Sequence, residues 1–216
     1  PWQAAARRKL AELAGYRRES NPPAAAHEAQ FPLADGGVRR RLYLCARAGV
    51  DIPIHIVAPR PLPGGPVPAG PAPVMLCLQG TNTGAHISWG EVRFPADADM
   101  QGYDFANQAA ARGYLAVAVE QSCFGERAER AMSPRSGPPC VDATMHALLL
   151  GRSLLGERCS DVSAVIDWLV AESGALGADP ARIHAMGHSA GGSVALFAAA
   201  LDERIGAALA CGCVGF

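Results

Sequence analysis

Arg182–Leu201, RIHAMGHSAGGSVALFAAAL, is the stretch on which the reading of this chain turns. An apolar run from Arg182 to Met186 leads into Gly187-His188-Ser189-Ala190-Gly191, and an alanine-rich run from Ser193 to Leu201 follows. That order predicts a strand, a sharp turn and a helix, the setting in which a G-x-S-x-G run lifts a serine hydroxyl off the end of a sheet. The glycines have a steric reason, because side chains there would meet the crossing strand and helix. Gly192 adds further clearance. The competing reading of the same residues is a glycine-rich strand-to-helix turn with a helix-capping serine.

Outward from the turn, short continuous apolar runs alternate with helical patterns, as in parallel strands covered on both faces. Val74 to Leu78, Tyr114 to Val119, Arg182 to Met186 and Ile205 to Cys211 are the predicted strands. The predicted covering helices are Asp104 to Arg112, Asp142 to Leu155, Asp161 to Glu172 and Ala190 to Leu201, with Gly151 and Gly156 as breaks. Val38 to Arg47 and Val50 to Val57 form an antiparallel pair turning at Gly49 and placed at a sheet edge. Trp2 to Leu13 is helical, and Glu19 to Gly37 reads as an irregular arm. The seven prolines between Pro59 and Pro73 predict a rigid surface connection or a polyproline ligand. The expected organisation is an N-terminal helix and arm over 1–37 and an α/β core over 38–216. Right-handed crossovers make that core a doubly wound, mostly parallel sheet with helices on both faces.

Composition narrows the function classes. With 216 residues, 50% of them hydrophobic, the chain buries one good core, and its net charge of -1 gives no field for nucleic acid or anionic membrane. No apolar run approaches the roughly 20 residues that span a bilayer. Arg39 to Arg41 read as solvated positions on a strand. Among seven cysteines, Cys77, Cys211 and Cys213 read as small buried hydrophobes, while Cys123, Cys140 and Cys159 lie around one loop where pairing stays open. No cysteine or histidine spacing suggests a metal site, and no phosphate-binding glycine run suggests a nucleotide, so no cofactor is expected. Pro1 is not an initiator; the cytoplasm is the expected compartment, with a removed signal peptide left open.

Several items in order resemble the α/β-hydrolases, and within them the branch of dienelactone hydrolases and acetyl xylan esterases. These are Leu78-Gln79-Gly80-Thr81 after a strand, Gly113-Tyr114 before the next, Phe124-Gly125-Glu126-Arg127 in the loop after it, Asp179 to Ile183 before the turn, Gly187 to Gly192, and Asp202 to Ile205 beyond it. The resemblance covers roughly residues 38–216. It implies a serine hydrolase that cleaves carboxylic esters through an acyl-enzyme on Ser189. A peptidase of the same fold and a non-catalytic binding or scaffold form are the alternatives.

The implied oxyanion donors are the backbone N–H groups of Ala190 and Thr81. Gln79 stands where relatives commonly carry histidine. Trp89 and Phe124 lie in loops at the carboxyl ends of strands, where open α/β sheets bind ligands, and are the candidate substrate-pocket residues. In that loop Glu126 and Arg127 suggest either a structural ion pair or a carboxylate anchor. The family's catalytic acid and histidine follow the serine in sequence, yet after Ser189 only Asp202 and Glu203 are acidic and no histidine follows His188. His27, His55 and His184 read as structural, and His188 as a packing residue. His86 and His146 lie nearer the pocket mouth. The expectation is therefore that the last two strands of the fold, with the acid and histidine, lie beyond residue 216 or on a second chain. The expected partner is a small-molecule ester.

Overall fold

The computed structural model of the chain describes residues 1–33, 36–60, 70–128 and 140–213. Its strands are β1 Ala24–Pro32, β2 Val38–Arg47, β3 Val50–Val57, β4 Ala72–Leu78, β5 Leu115–Val119, β6 Ala178–His188 and β7 Ile205–Cys211; its helices are α1 Trp2–Ala14, α2 Phe105–Ala110, α3 Cys140–Leu149, α4 Leu154–Ala171, α5 Ser173–Leu176 and α6 Ala190–Leu201. The seven strands form one sheet in the order β1-β2-β3-β5-β4-β6-β7. β1, β2 and β3 are antiparallel, and β5, β4, β6 and β7 are mutually parallel.

The period-two alternation of strand side chains divides the core into two layers of different character. Val74, Leu76 and Leu78 of β4, Leu115, Val117 and Val119 of β5, and Ile52, Ile54 and Ile56 of β3 meet α4 and α6 on one face. Met75 and Cys77 of β4 and Ala116 and Ala118 of β5 meet Ala106, Ala109 and Ala110 of α2 on the other. Branched side chains fill the first layer. Alanines on both sides of the second let α2 lie close to the sheet, consistent with close-packed interiors.

Several expectations change. Within the expected irregular arm, Ala24–Pro32 is a strand, paired with β2 through a bulge between Ala26 and Ala29, where His27 has φ 54°. Its alternation is invisible because both faces are largely exposed. β2 and β3 therefore lie inside the sheet, and the strand ending at Cys211 is seventh rather than sixth. Arg39, expected to face water, is buried with His55: Arg39 Nη1 lies 2.5 Å from His55 Nδ1, and its guanidinium sits over the Phe31 and Trp89 rings. Conversely, Cys211 is exposed on β7, an edge strand. The proline-rich stretch 61–69, the loop part 129–139 and residues 214–216 lie outside the described residues.

The helical region also divides differently. α3 ends at Leu149 and the chain turns at Gly151, while Ser153 caps α4 by accepting the Gly156 N–H at 3.0 Å. Gly156 is thus inside the helix and not a break. It is glycine because α1 ends against it: a Cβ there would collide with the Ala14 carbonyl oxygen and lie 2.7 Å from its carbon. Helix propensity alone would favour alanine by about 1 kcal/mol. Backbone cannot move aside as a side chain can, so the clash decides the sign. Gly156→Ala is expected to lower stability by about 1–3 kcal/mol, read as a lower urea midpoint at unchanged slope.

Candidate active site

Ser189 lies at the carboxyl end of β6, with the loop leaving β4 against it and the loop leaving β5 bonded in turn to that loop. β6 runs to His188, α6 begins at Ala190, and Ser189 between them has φ 52° and ψ −120°. A serine in this region is held at a cost of about 1–3 kcal/mol and persists only where its surroundings fix it. Here the Ser189 N–H donates to the Cys211 carbonyl at 2.8 Å and its carbonyl accepts from the Ser193 N–H at 3.1 Å. The glycines around it are sterically required. A Cβ on Gly187 would lie 2.7 Å from the Gly192 nitrogen, and one on Gly191 2.6 Å from the Leu78 carbonyl carbon.

The loop after β4 lies directly against this turn, since a Cβ on Gly80 would sit 3.1 Å from the His188 carbonyl oxygen and 3.3 Å from Ser189 Cβ. Thr81 follows, exposed. Ala190 opens α6, so its N–H has no carbonyl four residues back within the helix to receive it. Ser189, Ala190 and the Gly80-Thr81 backbone are thus brought together at one end of the sheet.

A buried polar cluster shapes that loop, and the sequence reading missed it. Gln79 Nε2 donates to Glu120 Oε1 at 2.9 Å, the Ala85 N–H donates to both Glu120 oxygens at 3.0 and 3.1 Å, and Gln121 Nε2 donates to the Gln79 carbonyl at 2.6 Å. All three side chains are buried. Polar residues directly after two apolar strand runs, Gln79 after Leu78 and Glu120-Gln121 after Val119, were the available signal. Gly84 and Gly125 close over the carboxylate: a Cβ on Gly125 would lie 2.8 Å from Glu120 Oε1. Burial pushes the Glu120 carboxyl up to about 7; the Ala85 and Glu126 N–H groups and Arg127 pull it down, and the Glu126 charge pushes it up.

The remaining candidates separate. Phe124, buried, lines a cavity of about 330 Å³ with Asn82, Thr83, Phe94, Cys123, Gly125 and Ala128, in the loops after β4 and β5. Trp89 packs into the core instead, its ring 4.2 Å from that of His55 and its Nε1 donating to Glu91 at 2.7 Å. Glu126 and Arg127 do not pair with each other. Arg127 binds Asp161 at 2.7 Å, and Glu126 takes the Tyr43 hydroxyl and lies 3.6 Å from Arg41. His86 is buried and bonded to Asp97 at 2.9 Å, in a knot with Thr83 that pins the loop. Burial raises the Asp97 carboxyl, but donors from Thr83, His86 and the Arg93 and Phe94 N–H groups outweigh it and hold it well below the usual range. His188 packs edge-on to Tyr103 at 4.8 Å, and His146 is exposed on α3.

Asp202 lies at the far end of α6 from Ser189, accepting from Ser163 Oγ at 2.8 Å and Arg204 Nη2 at 2.6 Å. Glu203 is exposed and paired with Arg7. Among the described residues no histidine hydrogen-bonds Ser189. A larger groove, about 600 Å³, runs along α1 to Ala200 and is lined by no serine, cysteine or histidine.

A family model described as BD-FAE, an α/β-hydrolase family, matches residues 149–209, from the end of α3 into β7. No curated protein matches the sequence. Among solved structures, the chain is similar to a candidate acetyl xylan esterase from Bacteroides fragilis NCTC 9343, with TM-score 0.73 and 21% identity over 96% of this chain and 52% of that one. It is also similar to an acetyl xylan esterase from Paenibacillus sp. R4, with TM-score 0.60 and 21% identity over 95% and 57%, and to a glucuronoyl esterase from Solibacter usitatus, with TM-score 0.58 and 16% identity over 97% and 58%. The chain spans a little over half the length of these structures. The likeness establishes the α/β-hydrolase fold, and the acetyl xylan esterases are of the branch that the motifs resembled.

The Glu120 cluster makes a pH prediction. A carboxyl whose folded pKa, about 7, exceeds its ordinary 4.5 binds more protons folded than unfolded between those values. Its contribution to stability is present below pH 4.5, is lost as pH rises through 7, and is constant above. In urea titrations at pH 5 and pH 8, wild type is expected to lose about 2–3 kcal/mol relative to Glu120→Gln, whatever constant offset the variant carries.

Proposed function

We propose that this chain, with its α/β-hydrolase fold, carries the nucleophile and oxyanion half of a serine hydrolase acting on carboxylic esters. The observation that carries the reading is Ser189, held in a strained turn at the crest of the sheet with the Gly80-Thr81 backbone against it. Its Oγ attacks the acyl carbonyl carbon and its proton passes to a base. The Ala190 and Thr81 N–H groups receive the negative oxygen, each such donor lowering the barrier by about 2.7–4 kcal/mol in comparable sites. The alcohol departs with a proton, and water then releases the acid from the acyl-enzyme. Acyl or alcohol groups occupy the cavity lined by Phe124. That the similar structures are esterases by name supports ester over amide substrates.

The base and its acid come from a further segment or a second chain that pairs with β7. This part of the proposal rests on the state of that strand. Parallel strands are normally buried on both faces, yet Gly206, Ala207, Leu209 and Cys211 are exposed, and no strand lies outside β7 among the described residues. The extent of the similar structures, nearly twice that of the chain, accords with it.

A fluorophosphonate probe tests both parts. In the form of the protein whose β7 edge is paired, the probe is expected to label Ser189, and Ser189→Ala is expected to abolish labelling and lower kcat/KM on an acetyl ester at least 10³-fold. The 216-residue chain alone is expected to label far more slowly. Hydrolysis that survives Ser189→Ala overturns the nucleophile assignment, and equal labelling of the two forms overturns the role given to the β7 edge.

A further inference from the structure

The chain leaving β5 turns back at Cys123, which has φ 67° and is one of three described residues other than glycine in the left-handed region. Such a conformation in a residue with a Cβ is held by its surroundings and clusters at functional positions. Here it aims the sulfur at the start of α3, where Cys123 Sγ and Cys140 Sγ are 3.3 Å apart. Arg158 of α4 lies over the pair, with Nη2 3.0 Å from Cys123 Sγ and 3.5 Å from Cys140 Sγ, and its guanidinium is stacked on the Phe124 ring at 4.5 Å. Both thiols are free. No other two sulfurs among the described cysteines are in contact.

We infer that Cys123 and Cys140 form a redox modification site, closed to a disulfide by a low-molecular-weight disulfide oxidant such as oxidised glutathione. Bringing sulfurs 3.3 Å apart to a bond of about 2.05 Å takes a movement near 1 Å, within reach of side-chain rotation. Cys140 is the more exposed partner and reacts first. Its thiolate attacks one sulfur of the oxidant and expels one glutathione thiolate, leaving a mixed disulfide. Cys123 then loses its proton, attacks the Cys140 sulfur and expels the second glutathione thiolate. Two protein thiols are oxidised by two electrons, one disulfide is reduced, and the two protons end on glutathione. Burial pushes the Cys123 thiol up to about 12, against which the Arg158 charge favours its thiolate. That cation is what makes the second step accessible.

The bridge ties the loop after β5 to α3. Cys123, Phe124 and Gly125 line the cavity between the loops after β4 and β5, and Gly125 presses on the Glu120 carboxylate that holds Gln79. The bond therefore stiffens one wall of the cavity, and this holds whatever reaction Ser189 performs. Linking residues 17 apart is expected to raise Tm by roughly 5–10 °C.

The test uses the full 216-residue chain, incubated with oxidised glutathione or with dithiothreitol and then alkylated in denaturant. Seven cysteines are expected to alkylate after reduction and five after oxidation, with non-reducing digestion yielding one peptide pair joining Cys123 to Cys140. Oxidation is expected to raise the Tm of wild type and not that of Cys140→Ser. Seven free thiols after oxidation, a stable mixed disulfide with glutathione, or a bond elsewhere such as Cys211 with Cys213 overturns the inference. Mapping of the wild type decides the matter even if the variant fails to fold.

Discussion

The constraint on which the rest depends is the approach of three backbones at the carboxyl end of the sheet: the first turn of α6, the end of β6 and the loop leaving β4. Gly191 lies over the Leu78 and Gln79 carbonyls, Gly187 lies under Gly191 and Gly192, and Gly80 touches Ser189. Backbone packed this closely leaves no room for side chains and little for motion. It is what allows a serine to be held at φ 52°. Hydrogen bonds to β7 and to the first turn of α6 then fix the serine backbone at both ends.

Polar groups buried beneath the loops do the second part of the work. Glu120 and Gln121 take up the Gln79 side chain and carbonyl, so the backbone at Gly80 and Thr81 is set from below rather than by the loop's own preferences. The Ala85 N–H on the same carboxylate joins the next turn to this cluster, and the Thr83-His86-Asp97 knot closes the loop further on. A half-satisfied buried cluster is costly, whereas a nearly complete one gives a single loop shape. Gln79 acquires its reason here: its amide reaches Glu120, the residue that follows the neighbouring strand β5.

Legibility followed burial and locality. The elbow and α6 were readable because the G-x-S-x-G spacing is itself local, a strand run, a close-packed turn and an alanine-rich run in direct succession, even though the backbone that Gly191 meets belongs to Leu78 and Gln79. β4, β5 and β7 were readable as continuous apolar runs. β1 was not, because an edge strand exposed on both faces carries no alternation. Gly156 looked like a break because the reason for it, the Ala14 carbonyl, comes from a helix more than a hundred residues away. Arg39 looked solvated because its cover, the Trp89 and Phe31 rings and the His55 nitrogen, comes from three other segments.

The sequence by itself determined the fold class, the seat of Ser189 on its turn and the glycines that make room for it, since these depend on periodicity and on backbone approaches too close for any side chain. It also established that no histidine follows the serine within these residues and that Asp202 and Glu203 are the acids that do. Only the tertiary structure decided which polar residues meet. Glu120 found Gln79, Cys123 found Cys140 under Arg158, and Trp89 went to the core against His55. Such pairings are set by the order in which strands lie in the sheet and by which loops that order brings together, and no local pattern of residues records it.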